Sequence, residues 1–188
     1  PITPFSAVAE MGFLFLGLSL GTEAALAAVL VKIVADGLGK SSLFIATATL
    51  RRFSAASTVE AWRGGIARHP ASAVALTIGL ANTLGAPLTL GFVGKWLLLD
   101  AAISKGWVWA AVVMAIGAII PVIYAGRSLE KLLFQPGTPA REGVTASPFS
   151  VVPALVLSAA LVIGGVASAP LVDAARAGAN ELTAGAGR

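Results

Sequence analysis

No cysteine occurs in the 188 residues, so the chain offers no disulfide, no thiolate nucleophile, no iron–sulfur ligand and no thiolate zinc site. Histidine occurs once, as His69 in a basic loop before Pro70, and it is not read as a metal ligand. Charge is scarce too: 12% of residues are Asp, Glu, Lys or Arg, about half the usual share for a soluble domain. The formal charge of +4 comes from basic residues divided among several loops, which argues against a nucleic-acid surface. A secretory signal is not expected either, because Pro1 enters an apolar run with no charged segment before it. The abrupt start is what a fragment or a split gene product would show.

What is abundant is apolar surface. Hydrophobic residues make up 57% of the chain and the mean hydropathy is +0.89, which implies an all-α integral membrane protein. Five spans are expected, over residues 4–20, 23–49, 71–103, 107–126 and 149–169, followed by a polar and frayed tail over 171–188. Pro121 is expected to kink the fourth.

The third span carries most of the information. A straight helix over 71–103 would be about 50 Å long, well beyond a hydrocarbon core of roughly 30 Å. Inside it lie Gly85, Pro87 and Gly91. Proline lacks a backbone N–H and holds the preceding residue extended, so the helix should break there into two halves. Backbone groups freed at membrane depth must be buried by protein or reached by water. Lys95 follows the break within an apolar run, and Asp100 lies five residues on. An ionisable group at that depth reads as functional by default.

Other charges also fall inside spans. Glu10 is the one ionisable residue of the first span. Lys32, Asp36 and Lys40 recur at i, i+4 and i+8 of the second, which stacks them on nearly one helix face. Facing the interior of a bundle, they form a base–acid–base ladder of the kind that relays protons. Salt bridging confined to the helix, and a helix lying in the interface, are the two competing readings. Glu23 sits at a helix start and reads as a cap. Ser41, Ser42, Thr83 and Thr89 either line a water path or bond carbonyls one turn back, the second being favoured for most. Gly17 is expected to serve packing alone.

Counting Lys and Arg by side sets the orientation. Arg51, Arg52, Arg63, Arg68, Arg127, Lys131 and Arg141 fall on one side, Lys105, Arg176 and Arg188 on the other. The first side is then cytoplasmic, with the N-terminus, and the C-terminus lies outside.

Three of these stretches carry a resemblance. GAPLTLGFVGKW (85–96) resembles the second broken helix of the antiporter-like subunits of respiratory complex I, nearest the N-type subunit of bacterial NADH–quinone oxidoreductase and then the D-type member of the Mrp cation/proton antiporters. PFSAVAEMGFLFLGLSLGT (4–22) and LVKIVADGLGKSSLF (30–44) are similar to two further helices of that family, in family order. The resemblance implies the second half of a fourteen-helix fold with two inverted five-helix repeats. It implies that Lys95 is the broken-helix lysine at the outer end of a proton path and Lys40 the lysine of the central hydrophilic axis. Lys32 and Asp36 stand where the family has two histidines, and Glu10 where it often has Gln or His. The first broken helix and the glutamate–lysine pair of the input half have no counterpart, so either another chain supplies them or the remainder is not represented in this sequence.

The function so implied is proton or cation/proton translocation within a complex I-like or Mrp-type assembly in a bacterial inner membrane, by a Lys95–Lys40–Asp36–Lys32–Glu10–Asp100 relay. Quinone, flavin or iron–sulfur clusters would belong to partner subunits. A non-conducting structural or assembly subunit is the alternative; an unrelated small transporter that binds substrate at half-helix ends is a third reading.

Overall fold

The computed structural model describes residues 3–52, 64–134 and 148–186, and among them there is no strand. The helices are α1 (Thr3–Ser19), α2 (Glu23–Arg52), α3 (Gly65–Arg68), α4 (Pro70–Leu84), α5 (Leu90–Ser104), α6 (Val108–Leu133), α7 (Pro148–Val166) and α8 (Ala169–Ala186). Arg63, Arg141 and Arg188, used above for orientation, lie outside the described residues.

Helix α2 is the axis of the bundle, with α1, α4, α5, α7 and α8 packed around it. Thr22 opens it: the Thr22 hydroxyl accepts the Ala25 N–H at 3.2 Å, satisfying one of the orphan donors of the first turn. The cap atom is thus supplied by Thr22, while Glu23 stands beside it in the first turn, where the helix dipole favours a carboxylate. Arg51 and Arg52 complement the dipole at the other end.

Burial runs opposite to that of a water-soluble domain. The inside is built of alanines (Ala27, Ala28, Ala35, Ala73 and Ala75 among them) and holds Glu10, Lys32, Ser42, Asn82 and Ser158. The outside is apolar: α6 alone exposes Val112, Val113, Ile116, Ile119, Val122 and Ile123. In water such a band would be an aggregation surface; against lipid it costs nothing, and small residues inside let helices approach closely.

Judged by length and composition alone, α6 is the one described helix able to cross a membrane, or one of two if α7 and α8, bent by 82°, count as a single span. The physical reason for the difference from five spans is plain. Helices α4 and α5 have 15 residues each, and α2 carries three ionisable groups through its middle.

The junction between α4 and α5 is well determined by sequence. Gly85, at φ 77°, takes the left-handed conformation that ends a helix, and its N–H bonds Asn82 O while Ala86 N–H bonds Ala81 O. This paired closure satisfies two orphan carbonyls. Pro87 and Leu88 then form a tight turn closed by Thr89 N–H to Ala86 O at 3.2 Å. Leu88 sits at φ 71°, a strained conformation for a residue with a side chain, of order 1–2 kcal/mol. Gly165 of α7 packs on the backbone of this turn so closely that a Cβ there would collide with the Leu88 carbonyl.

The C-terminal segment corrects the expectation of a frayed tail. Residues 169–186 are helical, and Ala175 and Ala179 of α8 are buried with Leu171 and Val172 against Leu30 and Val31 of α2 and Leu161 of α7. Alanine is the strongest helix former, and its i, i+4 spacing here supplies an apolar stripe that the polar composition hid.

Candidate functional site

Lys32 is the centre of the site. It lies mid-α2 and is fully buried. Its ammonium donates to Glu10 Oε2 on α1 and to Asp36 Oδ1 and Oδ2 one turn along α2, the latter at 2.5 and 2.6 Å. An ammonium has three protons, and all three have acceptors. Gly94 of α5 presses against the Lys32 backbone, where a Cβ would sit 3.0 Å from Lys32 Cα. The glycine is what brings α5 in.

The other oxygen of Glu10 faces Lys95 of α5. Lys95 Nζ lies 3.4 Å from Glu10 Oε1, inside ion-pair range, although Oε1 has no hydrogen bond of its own among the described residues. The Lys95 ammonium donates instead to Thr83 O, at 2.6 Å, in the last turn of α4. There it stands at the negative end of a helix, as a lysine cap does. It also lies 5.6 Å from the centroid of the Phe13 ring. Beyond it an apolar crevice lined by Phe13, Phe92, Trp96, Leu99 and Met114 leads outward between α1, α5 and α6.

One carboxylate therefore links two lysines from different helices. Lys32 and Glu10 side chains are each 1% exposed, Asp36 and Lys95 11% and 12%. The four groups balance, two positive and two negative. At an effective dielectric of about 20, unit charges 4 Å apart interact by about 4 kcal/mol, so gaining or losing one proton here biases every neighbour.

The structure brings together four of the six expected relay residues: Lys95, Glu10, Lys32 and Asp36. Lys40 is partly buried one turn beyond Asp36, near enough to act on that carboxylate through space. Salt bridging within α2 is thus realised for Lys32 and Asp36. Asp100 is not brought in: it is exposed, because five residues turn a helix by about 140° away from Lys95. Thr83 back-bonds Gly79 O at 3.1 Å, as hydroxyls in helices do, and Thr89 bonds Ala86 O at 2.7 Å within the turn between α4 and α5. Ser42 differs, pairing with Ser158 of α7 at 2.8 Å.

Sequence reasoning missed Phe13, the Thr83 carbonyl and Asn82. A lone amide in the last turn of an apolar helix was a visible signal for Asn82; nothing pointed to the other two.

The family described as NADH:quinone oxidoreductase/Mrp antiporter, transmembrane, matches residues 2–121. Over 131 residues the chain is 32% identical to NADH-quinone oxidoreductase subunit N of Halorhodospira halophila, covering 69% of this chain and 27% of that protein. Over 148 residues it is 34% identical to subunit N 1 of Solidesulfovibrio magneticus, covering 78% and 31%. The F(420)H(2) dehydrogenase subunit N of Methanosarcina mazei is 25% identical over 181 residues, covering 91% and 36%. The chain thus spans about a third of the length of these relatives. Among solved structures, a chain of the Mrp complex from Dietzia sp. superposes with a TM-score of 0.77 at 20% identity, covering 93% of this chain and 41% of that one. A chain of respiratory complex I from Thermus thermophilus gives 0.70 at 23% identity, covering 90% and 38%. At these identities the two structures establish the antiporter-like helical fold.

Proposed function

The chain belongs to the NADH:quinone oxidoreductase/Mrp antiporter transmembrane family, and from that premise we propose that it is a proton- or cation/proton-translocating subunit of a complex I-like or Mrp-type membrane assembly. The observation that carries this reading is the Glu10 carboxylate held between Lys32 and Lys95. A proton passed from Lys95 Nζ to Glu10 Oε1 would neutralise both groups at once. Lys32 would then keep only the Asp36 carboxylate as its counter-charge, and the change in field would reach Lys40 along α2. Lys95 is the entry or exit point on this reading, since the apolar crevice and its own partial exposure connect it outward.

The membrane arrangement belongs to the same proposal. Helices α4 and α5 form one discontinuous span, giving five crossings with α1, α2, α6 and α7, and the N-terminus faces the cytoplasm of a bacterial cell. The broken span is supported by the closure at Gly85 and by Gly165 of α7 packing on the Leu88 and Thr89 backbone. Lys40, only partly buried, calls for a further protein surface across α2, where an input half of the fold would pack. Quinone, flavin or iron–sulfur clusters would reside in partner subunits.

A second reading, a non-conducting structural subunit, is favoured by one observation: all three Lys32 protons are engaged, as in a fixed structural bridge.

Gentle native extraction with mass spectrometry of co-purifying subunits tests the assignment. Flavin or iron–sulfur subunits are expected for a redox-driven pump, and Mrp subunits alone for an antiporter. A chain recovered without partners would sink both and leave the structural reading.

A further inference from the structure

We propose that Asn82 is a positioning residue that holds Lys95 in register with the Lys32–Glu10 pair, a role that rests on the translocation reading only for its functional consequence. Asn82 is 2% exposed and lies in the last turn of α4. Its amide joins three helices. Nδ2 donates to Ala35 O of α2 at 3.0 Å, one residue before Asp36 and three after Lys32. Oδ1 accepts the N–H of Gly91 at 2.8 Å, in the first turn of α5 and one turn before Lys95. That N–H is one of the orphan donors of a helix start, and the Thr89 side chain that precedes it makes no cap hydrogen bond.

The surroundings are shaped to this amide. A Cβ on Gly39 of α2 would collide with Asn82 Nδ2, and a Cβ on Gly91 would collide with the Asn82 carbonyl. Two glycines on two different helices are thus in contact with one residue, which explains Gly91 better than the break alone does. Because a carboxamide does not titrate, the staple keeps its bonds whichever of Lys95, Glu10 or Asp36 carries a proton. The charged groups can change state while the distances between them persist.

The test uses the full chain in its native membrane complex. Asn82→Leu keeps the branching at Cγ, with added bulk, and removes both hydrogen bonds; Asn82→Ser removes the reach to Ala35 with less bulk. Thr77→Val, which deletes a hydroxyl bonded within α4 to Ala73 O, is the control. Lysine reactivity toward a small amine-directed reagent, read residue by residue by mass spectrometry, reports the position of Lys95 without reference to transport. Both Asn82 variants are expected to assemble and to raise Lys95 labelling about tenfold, with the control within twofold of wild type. They are also expected to shift the pH profile of proton flux, which a purely packing residue would not do. Unchanged Lys95 labelling in an assembled variant overturns the proposal. So does loss of assembly in both, since a structural staple would then suffice. Raised labelling in a complex whose wild type carries no proton current keeps the positioning role and removes the translocation reading.

Discussion

Lys32→Met is expected to destabilise the chain by about 3–5 kcal/mol, enough to lower the amount of assembled protein severalfold. The reason is what stays behind. Glu10, 1% exposed, and Asp36, 11% exposed, would face each other around a missing cation. Only Lys95, 3.4 Å from Glu10, would remain beside two carboxylates, and lipid and an alanine-rich interior add nothing. The loss is then a property of the unpaired carboxylates rather than of the lysine, and this makes it separable. A triple variant that also carries Glu10→Gln and Asp36→Asn is expected to regain most of the stability, because no buried carboxylate is left without a cation and Lys95 keeps the Thr83 carbonyl. The midpoint of thermal unfolding in detergent, measured for the single and triple variants, checks this. Losses that simply add across the three sites would contradict it.

Lys95→Met is expected to act on transport instead of stability. Its one ion-pair contact among the described residues is at 3.4 Å, and its stem already lines a crevice with Phe13 and Met114, where a methionine side chain fits. Assembly should therefore survive with a cost of about 1 kcal/mol or less. Loss of a positioned proton donor and acceptor, by contrast, lowers rates by about a hundredfold or more. Proton flux into proteoliposomes holding the purified complex, with subunit content checked in the same sample, gives both numbers. Asp100→Asn, outside the cluster and exposed, is expected to change flux less than twofold.

Much of this is legible in the sequence, for reasons that can be named. Apolar runs place the helices, and Gly85 with Pro87 places the end of α4, because both residues act through their own backbone. The i, i+4, i+8 ladder is visible since it lies within one helix; its Lys32–Asp36 step is formed and its Lys40 step acts only through space. The link between Glu10 and Lys95 is not visible. It depends on how α1 and α5 come together on α2: Gly94 lets α5 rest on the Lys32 backbone, and Gly17 of α1 packs on Leu98 of α5. Asp100 falls outside the cluster because closeness in sequence is not closeness in space. The tail is hard to read because its polar composition outweighs the helical spacing of Val172, Ala175 and Ala179.

The separation of the ladder into a shared carboxylate and two flanking lysines also changes what a substitution means. Neutralising Glu10 cuts the path between α2 and α5 without leaving a cation wholly alone, as Lys32 retains Asp36 and Lys95 retains the Thr83 carbonyl.

Glu10→Gln is for that reason the most direct test of the central claim. Proton flux would be measured in proteoliposomes carrying the complex with wild-type or Glu10→Gln chain, at matched subunit content. A proton path through the shared carboxylate predicts about a hundredfold loss of flux in a complex that still assembles. Wild-type flux in the assembled Glu10→Gln complex would contradict it.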